Sequence, residues 1–122
     1  MAEVAGVWTG FAGANEFVRL ELDASGSGFL CISYLPDNPP RLYRVEKWRL
    51  ADHFIELRTR PLDSDAEPVG FRRLTYSWIA LEGKLFGRRW ERDVRLYSER
   101  EWSKRSTPLR ERIARHRRQH SR

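Results

Sequence analysis

One cysteine, Cys31, stands among the 122 residues. No intramolecular disulfide can form, and a cysteine-rich zinc site is excluded. A reducing cytoplasm is the simplest compartment for such a chain. Lysine is nearly missing: of 23 basic residues only Lys47, Lys84 and Lys104 are not arginine. That bias reads as codon usage in a GC-rich genome rather than as function. No apolar run approaches the length needed to span a bilayer. The segment 1–10 has neither a basic n-region nor an apolar h-region, so no signal peptide is expected. No G-x-S-x-G, H-E-x-x-H or phosphate-loop pattern is present, so no catalytic residue and no cofactor is expected. Cys31 itself sits in an apolar stretch and reads as an inert core thiol.

What is present is unevenly placed. Residues 1–102 carry 15 Lys+Arg against 16 Asp+Glu, and residues 103–122 carry 8 against Glu111 alone. The net charge of +6 therefore belongs to a C-terminal appendix on a nearly neutral body. The expected division is a barrel with a short capping helix over 1–102 and a basic, weakly helical or disordered tail over 103–122. A chain of this length holds one core, and its five Trp, six Phe and four Tyr fill it with large side chains.

Strand-like segments alternate with turns along the first hundred residues. Val4–Gly10 is short and contains Trp8. In Glu16–Asp23, Val18, Leu20 and Leu22 lie on one face and Arg19 and Glu21 on the other, the period-two signature of a half-buried strand. Ala24–Gly28 is a glycine-rich hairpin turn. Phe29–Leu35, apolar on both faces, reads as a central strand. Pro36–Pro40 is loop, because proline cannot donate to a ladder. Along Arg41–Leu50 the apolar phase slips at Glu46-Lys47, which predicts a β-bulge. His53–Thr59 alternates, and Arg60–Pro68 is an acidic loop. Phe71–Leu81, a Glu82-Gly83 turn, Lys84–Arg92 and Val94–Tyr97 complete the series. The prediction is an all-β fold: a single antiparallel up-and-down barrel of seven or eight strands with a short C-terminal helical extension. Ser98 with Glu101 forms a capping box for a helix carrying Trp102. Thr107-Pro108 opens a second, weak helix over 108–119.

The Gly6-Val7-Trp8 start resembles the G-x-W that opens lipocalins and related calycin barrels. The resemblance implies that Trp8 plugs the closed end and that a late arginine, from Arg88, Arg92 or Arg95, stacks on it. It also implies a C-terminal helix packed on the outside and a small ligand held inside.

The candidate ligand residues are the aromatics Trp48, Tyr76, Trp78, Phe86 and Trp90, some of which should point inward. Arg73, Arg88 and Arg92 join them, one of which would hold an acidic head group. The expected function is non-enzymatic binding of a small hydrophobic or amphipathic ligand. One alternative is an RNA- or DNA-associated protein using Arg110, Arg112, Arg115, Arg117, Arg118 and Arg122 of the tail. Another is a protein-interaction module that offers an unpaired edge strand. No metal is expected. His116 and His120 share a helix face without a third ligand, and Asp63, Asp65 and Glu67 lack the glycine and late glutamate of a calcium loop.

Overall fold

A computed structural model describes residues 4–34 and 39–105. Eight strands run β1 (Gly6–Ala12), β2 (Glu16–Leu22), β3 (Gly28–Tyr34), β4 (Arg41–Ala51), β5 (Phe54–Pro61), β6 (Gly70–Tyr76), β7 (Ala80–Phe86) and β8 (Glu91–Ser98). Each pairs antiparallel with its sequence neighbours, and β1 also pairs with β8, so the sheet closes into an up-and-down barrel. Closure gives every strand two neighbours, although the β5–β6 ladder joins only Phe54 with Thr75 and Ile55 with Leu74. Closure also leaves no central strand. The outer face of β3 is instead a surface, with Phe29 47 % exposed.

Alternation sets the interior. Val18, Leu20, Leu30, Ile32, Tyr43, Val45, Leu74, Leu81, Leu85 and Leu96 are all 1 % exposed or less. Fully burying each such side chain stabilises the fold by about 1.5–3 kcal/mol. These side chains fill the middle of the barrel, as eight strands allow. Val4 and short turns lie at one end. There the indole N–H of Trp8 donates to the Val4 carbonyl at 2.8 Å. Its ring meets Tyr76 edge-on, 5.9 Å between centroids. Trp8 thus plugs the closed end, but Arg92 lies over Trp90 and Arg95 pairs with Glu82. Tyr76 takes the place beside Trp8 that the resemblance gave to an arginine.

The bulge in β4 falls where the phase slip predicts it, between Val45 and Lys47. It turns Trp48 inward, and the Trp48 indole donates to the Asp23 carbonyl at 2.7 Å. That bond pins the 23–27 turn, in which Gly26 adopts φ +96°. A second bulge lies in β6 between Arg72 and Thr75, with Arg73 at φ 52°. It corrects the expected strand ends. Glu82-Gly83 is not a turn but the middle of β7, and the turn is 77–79. Gly83 is glycine because a Cβ there would sit 2.7 Å from the Arg73 carbonyl oxygen and 2.9 Å from that of Arg72. The stretch expected as one strand, Lys84–Arg92, breaks at Gly87–Trp90 into the β7–β8 turn.

After β8, the Ser98 hydroxyl accepts the Glu101 N–H and caps the helix α1, residues 99–105 among those described. Trp102 on α1 packs outside the barrel against Phe11 and Phe17, with centroids 5.9 and 6.0 Å away. The remainder of the expected tail, and with it Arg110, Arg112, Arg115, Arg117, Arg118 and Arg122, lies outside the described residues. No described helix is long and apolar enough to cross a membrane.

Candidate functional site

The two ends of the barrel differ chemically. At the end opposite Trp8, the inward positions of three strands carry charge. Glu16 shares a face of β2 with Val18 and Leu20. Arg41 shares a face of β4 with Tyr43 and Val45. Arg92 shares a face of β8 with Val94 and Leu96. Strand alternation alone aims all three side chains at the barrel mouth.

They meet there. The Glu16 side chain is 5 % exposed, and its two oxygens take different partners: Arg41 Nη2 at 2.8 Å and Arg92 Nε at 3.0 Å. A carboxylate this deeply placed needs such pairing, because an unpaired buried charge is costly. The two guanidiniums remain partly open to solvent. Each has five N–H donors, and these ion pairs engage one apiece. Arg92 also lies over the Trp90 ring, 4.9 Å from its centroid. Glu16, Tyr34, Pro39, Arg41, Trp90 and Arg92 line a cavity of about 380 Å³. This lies at the small end of ligand pockets, which run to roughly 300–1,000 Å³.

A second polar set borders the mouth. Glu67, in the β5–β6 loop, accepts hydrogen bonds from the Arg88 backbone N–H and, at 3.2 Å, from the Trp90 indole. The Arg88 N–H and then the indole hold its carboxyl below the usual carboxylate range. The Tyr43 hydroxyl donates to the Glu67 carbonyl at 3.1 Å. Burial pushes the Tyr43 phenol above its ordinary pKa against the pull of Arg41, so it stays a neutral donor. Gly87 makes this latch fit. A Cβ there would lie 2.4 Å from the Trp90 indole nitrogen and 2.6 Å from a Glu67 oxygen. Loop β5–β6, turn β7–β8 and strand β4 are thereby tied around the rim.

Of the eight residues expected to form a ligand site, the structure brings Trp90 and Arg92 together at the mouth. Trp48 and Tyr76 point inward at the opposite end and belong to the plug. The other four do not line the interior. Trp78 is 77 % exposed in the 77–79 turn. Phe86 takes the outer face of β7, beneath Arg72 at 4.5 Å, because Leu85 holds the inward phase and the 87–90 turn separates Phe86 from Trp90 and Arg92. Arg73 is exposed on that bulge, and the Arg88 side chain is exposed in the β7–β8 turn. Glu16, Arg41, Tyr34 and Glu67 were not among the expected site residues. For Glu16 and Arg41 the signal is present: each is a charged residue in the same phase as a fully apolar strand face. Glu67 gives no such signal, since its partners come from a distant turn.

No family model, curated protein or solved structure matches this chain. The site therefore has to be read from its own chemistry. Among the described residues it holds no nucleophile–base pair, and no three His, Cys, Asp or Glu are grouped to hold a metal ion. It offers hydrogen-bond donors of positive charge, an aromatic ring and a fixed counter-charge. That combination has the donor geometry and charge suited to a planar anion.

Proposed function

We propose that this protein binds a small amphipathic acid without transforming it, in the manner of lipocalin-like barrels, and that the binding site is the barrel mouth. The observation that carries the reading is the Arg41–Glu16–Arg92 bracket beside Trp90. Two arginines against one carboxylate leave a single positive charge facing the cavity. Glu16 fixes the direction of both guanidiniums, so little side-chain entropy remains to be lost on binding. The acid group would pair with Arg41 and Arg92, and the apolar part would lie against Tyr34, Pro39 and Trp90. The ligand would sit in the rim rather than run the length of the barrel, because the middle is packed with aliphatic side chains.

The test is a titration of ¹⁵N-labelled protein with benzoate, 1-naphthoate and octanoate, followed by amide and indole resonances. Saturable shifts centred on Glu16, Arg41, Trp90 and Arg92 are expected, and they should vanish in the R41Q/R92Q double variant. Shifts absent with all three acids, or equal in the double variant, would refute the mouth as an anion site.

A further inference from the structure

The near-neutral sum over residues 1–102 conceals a segregated surface. Most carboxylates on the barrel are already engaged: Glu21 with Arg19, Glu56 with Arg49, Glu91 with Arg72, Asp93 with Lys84 and Glu82 with Arg95. Beyond the Arg49–Glu56 pair, the outer face of β4 and β5 toward the mouth is different. Its cross-strand neighbours there are Arg44 with Arg60 and Lys47 with Arg58. Like charges directly opposite one another destabilise a sheet by about 0.2–1 kcal/mol per pair. None of these four cations is in an ion pair with a described residue, and all four are exposed.

The bulge produces this arrangement. Arg44 faces Arg60 and Val45 faces Thr59. Continued without a break, that register would set Glu46 opposite Arg58, an attractive pair. The extra residue instead advances Lys47 into that place and leaves Glu46 at the bulge, outside any described ion pair. The fold keeps Trp48 inward at the expense of local repulsion, which no ion pair of these four cations with a described residue offsets.

Apolar groups border the four cations on the side toward the mouth. Leu42 and Leu62 are 49 % and 52 % exposed. On β3, Phe29 is 47 % exposed, with the Arg44 guanidinium 5.7 Å from its ring centroid. We infer that this face, formed by Arg44, Lys47, Arg58 and Arg60 beside Phe29, is a binding strip for single-stranded nucleic acid. Outward residues on one strand recur about every 6.6–6.8 Å, a spacing suited to successive phosphates of an extended strand. Phe29 supplies an exposed ring on which a base can stack, flanked by a guanidinium. The two-by-two grid of cations favours a linear polyanion over a bilayer, which would engage a larger apolar face.

The experiment uses the full chain. Fluorescence anisotropy with a labelled dT₁₂ oligonucleotide is measured from 50 to 300 mM salt, for the natural protein and for R44Q/K47Q/R58Q/R60Q. Single-strand binding weakens with salt by a log–log slope of about −0.7 per phosphate contact, so loss of four contacts should flatten the slope by about 2.8. The F29A variant should weaken binding several-fold with the slope unchanged. Thermal melting checks folding, and relief of the like-charge pairs predicts a quadruple variant at least as stable as the natural protein. The inference is overturned if dT₁₂ does not bind, or if the quadruple variant binds it with the same slope, which would assign the contacts to other residues. It is overturned equally if phosphatidylglycerol vesicles bind through these four residues and dT₁₂ does not.

Discussion

Replacing Glu16 by glutamine tests whether the mouth is held by its central carboxylate. The change is nearly isosteric, so packing is conserved and charge is removed. Both guanidiniums then lose their counter-ion at 2.8 and 3.0 Å. Stranding a charge in a fully buried pair costs about 3–5 kcal/mol, whereas exposed pairs contribute about 0.2–1 kcal/mol. Here the Glu16 side chain is 5 % exposed but Arg41 and Arg92 are 32 % and 40 % exposed, so water screens much of the repulsion left behind. The expected loss is intermediate, about 2 kcal/mol. For a chain of this size that lowers the melting temperature by roughly 8 °C. Thermal melts by far-ultraviolet circular dichroism at pH 7, with urea unfolding as a second measure, supply the number. The E16Q/R41Q/R92Q triple variant should recover part of the loss, because no unpaired cation remains. A loss under about 0.5 kcal/mol for E16Q, or a triple variant worse than the single one, would refute the bracket as a structural unit.

The β6 bulge gives two changes of opposite sign. Arg73 holds φ 52°, a region that penalises a side chain by about 1–2 kcal/mol, so R73G should stabilise by about 0.5 kcal/mol after glycine's own entropy cost. G83A, whose Cβ would lie 2.7 Å from the Arg73 carbonyl oxygen of β6, should destabilise by about 2 kcal/mol; melts that show both changes alike would contradict the bulge geometry. The Glu67 latch predicts a pH dependence. Its folded carboxyl titrates below the unfolded value of about 4.3, so its stabilising contribution is present above that pH and is lost as pH falls through the folded value. The difference in melting temperature between the natural protein and E67Q should therefore shrink below about pH 4. A difference that stays constant from pH 7 to pH 3 would remove the latch.

Much of this architecture is legible in the order of residues. Alternation identifies β2 and β5, the phase slip at Glu46-Lys47 locates the β4 bulge, and Ser98 with Glu101 announces α1. Beyond the face of β3, the misreading falls in β6–β8 and has two causes, the β6 bulge and the break at Gly87–Trp90. The bulge at Arg73 leaves no phase slip that can be read, because Arg72 and Arg73 are both polar. Glu82-Gly83 then looks like a hairpin turn, although Gly83 is there to admit the β6 backbone. Phe86 falls on the other face from Arg92 because the 87–90 turn interrupts the alternation read across Lys84–Arg92.

The two candidate surfaces differ in how far a sequence can reveal them. The mouth follows from phase within single strands: a charge at an inward position of β2, β4 and β8 must go to the barrel end, where water is. The β4–β5 strip depends on phase between strands. Arg44, Lys47, Arg58 and Arg60 are ordinary outward residues until the register pairs cation with cation. One bulge residue decides that register, since it exchanges Glu46 for Lys47 opposite Arg58. Charge summed along the chain could not show this, because it counts Glu46 as a neighbour of these cations when the fold has taken it out of their ladder.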